Sequence, residues 1–257
     1  MSTLGRRSVL IAGAGLLAAP DTMAEGKVGP EGKLGAEGKA GPWSVELFTS
    51  QGCSSCPPAD AELGKLVWRP DIVALSFHVD YWDYIGWKDR FATKATTERQ
   101  RIYARTLAQR YVYTPEMVVD GRVNQPGIDS DEIAGMLADA RRQSTARTTP
   151  TLNRLADGSL KISLAAATLD GPADIMLFAY DRRHSTPVAR GENEGRRIDN
   201  FNVVRRFERV SQWTGAEATW TVPADRFQPD QGLAVLVQRT DQGPVLGANK
   251  LEPVVAG

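Results

Sequence analysis

The sequence predicts an α/β domain over residues 43–146 followed by an all-β, sandwich-like domain over residues 147–257. Three observations carry this. From Trp43 onward, strand-length apolar runs alternate with amphipathic helical patterns. After Arg147 the helical patterns stop, and roughly six to eight short strand-like runs follow, punctuated by Gly and Pro. Apolar residues make up 42% and charged residues 24% of the chain, the balance of a protein that buries a core.

Two segments of different character precede the domains. "GRRSVLIAGAGLLAAP" sets Arg6-Arg7 before an apolar run from Val9 to Ala19, shorter than the ~20 residues a bilayer span needs. It reads as a twin-arginine signal peptide over residues 1–24, cleaved after Ala24. The expected destination is the periplasm or the exterior, with no stable membrane insertion after cleavage. Residues 25–42 place glycine at every third position from Gly26 to Gly41. Collagen needs many more triplets to hold three chains together, so this collagen-like stretch is expected to be a charged, flexible linker.

The elements of the first domain follow in order. "WSVELFTS" (43–50) is a strand, and "ADAELGKLVW" (59–68) is a helix with Leu63, Leu66 and Val67 on one face. "DIVALSFHVD" (71–80) is nearly continuous in apolar character, as a parallel strand covered on both faces is. "ATTERQRIYARTLAQRY" (95–111) is a helix with Thr97 as candidate cap, and "EMVVDGRVN" (116–124) is a hairpin turning at Asp120-Gly121. "SDEIAGMLADARRQ" (130–143) is a helix capped by Ser130, with Ile133, Met136, Leu137 and Ala140 as its buried stripe. The order is β-α-β-α-β-β-α, and its strand–helix–strand units imply parallel pairing with right-handed crossovers. In the second domain, strands are expected within 151–167, 173–181, 201–210, 217–222 and 232–240.

Charge and cysteine content narrow the chemistry. Lys plus Arg equals Asp plus Glu at 31 each, which gives no support to nucleic-acid binding. The only two cysteines, Cys53 and Cys56, are spaced Cys-x-x-Cys between a strand and a helix. Free backbone N–H groups at a helix start favour a thiolate, so Cys53 is the expected attacking thiol and Cys56 the resolving one. The prolines at 57 and 58 suit the first helical turn. Three readings of the pair compete: redox exchange with protein or small-molecule thiols, needing no cofactor; a soft-metal site for copper or zinc with His78 as third ligand; and an inert local disulfide in a non-catalytic binding module.

Other groups are candidates through their placement. "FHVDYWDYIGWKD" concentrates Tyr81, Trp82, Tyr84 and Trp87 just past a core strand, where open α/β sheets bind ligands, so Tyr81 and Trp82 are candidate substrate contacts; the competing reading, favoured for Trp82 and Trp87, is that the rings pack against the second domain. His78 and Asp80 are expected to share a strand face, with Asp80 orienting the imidazole. "RGENEGRRIDNFNVVRR" gathers Arg190, Arg196, Arg197, Arg205 and Arg206 around Glu192 and Glu194. It reads either as a solvated hairpin loop or as an interdomain clamp onto Asp80 or Asp83.

The element order and the position of the cysteines resemble the thioredoxin fold. That resemblance implies a cis-proline facing the dithiol, and Thr114-Pro115 in "VYTPEMVVDG" occupies the matching place. It implies that Thr114 and Pro115 form a peptide-docking edge. It also implies that Glu46, seven residues before Cys53 and one more than is usual there, is a buried acid acting as base for Cys56; the other reading is a strand-edge glutamate facing solvent. The Ser-Ser pair between the cysteines differs from the Gly-Pro and Pro-His pairs of that superfamily, so redox direction is not carried over. "VELFTSQGCSSCPPAD", "ALSFHVDYWDYIGWKD", "VYTPEMVVDGR" and "RGENEGRR…NVVRR" together resemble the secreted bacterial family called domain of unknown function 1223. The resemblance runs from Trp43 to about Val255 and implies a thioredoxin-like first domain with a β-rich second one.

Overall fold

A computed structural model describes residues 42–144 and 147–253. The expected signal peptide and nearly all of the glycine-rich linker lie outside the described residues. The first half runs β1 (Trp43–Thr49), α1 (Pro57–Leu66), β2 (Ile72–His78), α2 (Lys94–Thr106), β3 (Glu116–Val119), β4 (Val123–Gln125) and α3 (Ser130–Gln143). The second half runs β5 (Thr151–Arg154), β6 (Leu160–Leu164), β7 (Ala173–Pro187), β8 (Arg197–Trp213), β9 (Ala218–Val222), β10 (Gly232–Arg239) and β11 (Val245–Leu251). Helix caps fall slightly earlier than expected. Thr93 caps α2 through a capping box with Thr96, and Asp129 caps α3 by accepting from the Glu132 N–H.

Eight strands form one mixed sheet in the order β11-β10-β7-β8-β2-β1-β3-β4. The pairs β1–β2 and β2–β8 are parallel, and the others are antiparallel. The division expected near residue 146 therefore falls between two parts of a single sheet. Strand β8 covers the edge that β2 would otherwise expose, and the Val245 N–H donates to the Asp120 carbonyl across the β3–β4 turn. That turn has Asp120 and Gly121 at φ 54° and 61°, the left-handed pair of a tight hairpin.

Strand alternation sorts the core into layers. Val45 and Leu47 of β1 pack with Leu63 of α1 and Ile133, Met136 and Leu137 of α3. Phe48 and Phe77 face the other way and join Tyr103 of α2, Phe178 of β7 and Val204 of β8. All seven residues of β2 are buried, which is why its sequence is apolar on both faces. The remaining sheet, β5-β6-β9, packs on the second half of the large one, bringing Leu160 and Ile162 against Ile175, Trp213 and Val235.

A buried ion pair ties the halves together. Arg99 of α2 donates to both Glu46 carboxylate oxygens, at 2.6 and 2.9 Å, and Tyr103 donates its hydroxyl to the same carboxylate. The guanidinium also lies 5.0–5.9 Å from the ring centres of Phe77, Tyr103, Phe178 and Phe207 and donates to the Gln238 side chain. Arginine is suited to this place because its planar head stacks on rings while its edge binds a carboxylate.

Strands β7 and β8 are 15 and 17 residues long and make a ribbon that outruns the sheet. The register shifts between Ala179 and Tyr180, and Asn202 takes a left-handed φ of 43°. Beyond that bend the ribbon lies against α1. An added Cβ at Gly64 of α1 would stand 2.6 Å from the Phe201 ring, so only glycine permits the approach.

Candidate functional site at the β1–α1 junction

Cys53 and Cys56 form a disulfide at the C-terminal end of β1, and both are fully buried. The helix starts two residues before its apolar pattern, and Cys56 rather than Cys53 stands at its N-terminus. Pro57 and Pro58 occupy its first positions, Cys56 is its N-cap, and the Cys56 N–H closes a turn onto the Cys53 carbonyl at 3.3 Å. Cys53 therefore precedes the helix by one turn, and Ser54 and Ser55 are the exposed residues of the loop.

The Thr114–Pro115 peptide bond is cis, and Pro115 is buried. The Thr114 carbonyl lies 3.8 Å from Cys53 Sγ and accepts from the Ser55 hydroxyl at 3.4 Å. The Trp82 indole donates to the Thr114 hydroxyl at 2.7 Å. Tyr81 is one residue away, with its hydroxyl donating to Gln100; Gln100 also donates to the Tyr113 carbonyl and the Glu116 carboxylate. Burial raises the Glu116 pKa against the amide donors of Gln100 and Gln109. Trp87 donates to the Gln51 side chain, and an added Cβ at Gly52 would press on Ile85 and Trp82. The aromatic segment thus forms a wall beside the disulfide, while Tyr84 is 82% exposed and takes no part in it.

The opposite side of the loop is held by the turn between β7 and β8. Asn193, fully buried, donates its side-chain amide to the carbonyls of Gln51 (3.0 Å) and Cys53 (2.9 Å). Glu192 accepts from the Ser54 N–H at 3.2 Å. The "RGENEG" stretch therefore clamps the cysteine loop, and its contacts are to Gln51, Cys53 and Ser54 rather than to Asp80 or Asp83.

Beneath the disulfide lies a buried polar cluster on the α1 side of the sheet. His78 Nδ1 is 2.6 Å from Asp89 Oδ2, which also accepts from the Gln51 N–H at 2.8 Å. Asp80, the expected partner of His78, instead accepts from Thr97 at 2.7 Å, because β2 ends at His78 and strand alternation stops there. Burial would raise the Asp89 pKa, but His78 and the Gln51 and Phe91 N–H groups outweigh it and hold the carboxyl low. Asp60 of α1 faces Thr49, His78 and Asn200, and burial pushes its pKa up to about 7.

A family model described as a protein of unknown function (DUF1223) matches residues 44–238, most of the chain. This chain belongs to the DUF1223 family. The fold is similar to a crystal structure of a protein from Agrobacterium tumefaciens, with a TM-score of 0.75 and 33% identity over 85% of this chain and 97% of the other. No curated protein matches it.

In this DUF1223 protein the cysteines, Thr114, Pro115, Trp82 and Tyr81 come together as one locality. Glu46 lies on the face of β1 opposite α1, where Arg99 and Tyr103 take up its carboxylate. His78, the third ligand of the metal reading, is bound to Asp89, and among the described residues no group of three or more His, Cys, Asp or Glu is arranged to hold a metal. Asp60, Asp89, Glu192 and Asn193 were not expected at the site. Asp60 had a readable signal: it falls in the same helical stripe as Leu63 and Val67, where a carboxylate is out of place.

Proposed function

We propose that this DUF1223 protein is a periplasmic thiol–disulfide exchange protein of thioredoxin-like build, acting through Cys53 and Cys56. The observation that carries the reading is the disulfide at the end of β1, faced by the Thr114 carbonyl and Pro115. In the exchange, a partner thiolate attacks Cys53 Sγ, forming a mixed disulfide and expelling Cys56 as a thiolate. Cys56 takes up a proton. A second partner thiolate then displaces Cys53, so that the partner leaves as a disulfide carrying two fewer electrons and the cysteine pair is left reduced.

Thr114 suits the docking of an extended partner, since its carbonyl sits beside Cys53 and Pro115 supplies no competing N–H. For the proton, Asp60 is better placed than Glu46. It stands one helical turn from Cys56, whose carbonyl accepts its N–H, and its pKa of about 7 suits proton transfer at neutral pH. The competing soft-metal reading would use His78 Nε2, buried without a hydrogen-bond partner while Nδ1 meets Asp89, but among the described residues no group of three or more His, Cys, Asp or Glu is arranged to hold a metal.

The test is trapping. A Cys56→Ser variant should accumulate mixed disulfides with periplasmic thiol proteins, and Cys53→Ser should not. Equal trapping by both variants, or by neither, refutes the assignment. Copper or zinc retained at one equivalent by the reduced protein, and lost on His78→Ala, would favour the carrier instead.

A further inference from the structure

We infer that Glu192, on the turn between β7 and β8, is a positioning residue that sets the redox balance of the cysteine pair toward the disulfide. The inference rests on the exchange reading for its biological meaning. Its physical content concerns Cys53 alone.

The turn enters the site through two residues with different roles. Asn193 is fully buried and bonds two carbonyls, those of Gln51 and Cys53, which fixes the height of the turn above the cysteine loop. Its own side-chain oxygen accepts from Arg196 at 3.3 Å, which braces the amide from behind. With Asn193 seated, the neighbouring Glu192 carboxylate meets the Ser54 N–H at 3.2 Å. Ser54 follows Cys53 directly and lies between the two sulfurs in sequence.

Two consequences follow for the reduced pair. A thiolate at Cys53 gains from nearby N–H donors and loses near a negative charge. Glu192 does both unfavourable things at once: it occupies the Ser54 donor and adds a carboxylate. The disulfide carries no charge and feels neither effect. The carboxylate therefore destabilises the reduced pair relative to the oxidised one, and its removal should make the pair a stronger oxidant, as stabilising a thiolate does elsewhere. Glu192 is exposed, so the effect is screened by water and salt.

The experiment compares wild type, Glu192→Gln and Asn193→Ala in two measurements. The first is the redox equilibrium with reduced and oxidised glutathione. The second is the Cys53 thiol pKa of the chemically reduced Cys56→Ser protein, read from thiolate absorbance. Glu192→Gln keeps an acceptor for Ser54 but loses the charge; it should shift the equilibrium at least threefold toward the dithiol and lower the Cys53 pKa. Asn193→Ala, which unseats the turn, should move both in the same direction. The Glu192→Gln shift should shrink in 1 M salt, which a purely structural role would not produce. A shift under threefold with an unchanged pKa, or a shift insensitive to salt, overturns the inference. Failure of the wild-type disulfide to equilibrate with glutathione would count against the exchange reading, while the thiol pKa would still decide the role of Glu192.

Discussion

The Asp60 N–H donates to the Cys56 carbonyl at 3.1 Å, so a buried carboxyl is carried one helical turn behind the second cysteine. Its pKa of about 7 against an ordinary 3.8, raised chiefly by burial, has a defined consequence for stability. A carboxyl whose folded pKa is raised favours the folded state fully below its unfolded pKa, and that contribution is lost as pH rises through the folded value. Stability should therefore fall between about pH 4 and pH 7, by on the order of 4 kcal/mol. Asp89, whose pKa is lowered, acts in the opposite sense and only in acid, losing its contribution as pH falls below the ordinary carboxylate range. Denaturant titrations at a series of pH values should show the neutral slope in wild type and its loss in Asp60→Asn. Equal slopes in the two proteins would refute the assignment.

Glu46 and Arg99 should behave as one buried unit. Arg99→Met leaves the Glu46 carboxylate without its cation among four aromatic rings, and should cost about 3–5 kcal/mol of stability. Glu46→Gln in the same background removes the stranded charge and should restore part of the loss. A double-mutant cycle should give a coupling of at least ~1 kcal/mol, and strict additivity would show that the pair is not the energetic unit its geometry suggests.

How far the sequence foretold this molecule depends on which force made each element. Strand β2 was readable because burial on both faces leaves a nearly continuous apolar run, and α3 because its stripe repeats at helical spacing. The outer part of the β7–β8 ribbon was not. Arg182, Arg183, Ser185 and Asp199 do not alternate with apolar residues, since this stretch leans on α1 and the cysteine loop instead of joining the core. The single continuous sheet was hidden for a related reason: the edge that β8 covers is set by tertiary pairing at Ser76 and Val203, which no local pattern announces. At the site, the cysteines and the Thr114–Pro115 turn were legible as a spaced motif. The choice of Asp89 over Asp80 for His78 was not, because it depends on the path of the chain after β2.

Export is expected to depend on the paired arginines near the start of the chain. Changing Arg6 and Arg7 to Lys should hold the precursor in the cytoplasm, as read by fractionation and precursor size. An undiminished periplasmic yield would show that the twin-arginine route is not used.

Gly64 and Phe201 provide a test of how firmly the ribbon is seated on α1. Alanine is the better helix former by up to about 1 kcal/mol, so an unobstructed Gly64→Ala would stabilise the protein. Here the new methyl would meet the Phe201 ring at 2.6 Å, and overpacking of that kind costs about 1–3 kcal/mol. The net expectation is destabilisation, reversed in sign when Phe201 is first shortened to Leu. Because the same ribbon carries Asn193 onto the Cys53 carbonyl, Gly64→Ala should also speed reduction of the disulfide by dithiothreitol, several-fold if the turn lifts with the ribbon. A destabilised variant with an unchanged reduction rate would mean that the turn holds the cysteine loop independently of the strand pair behind it.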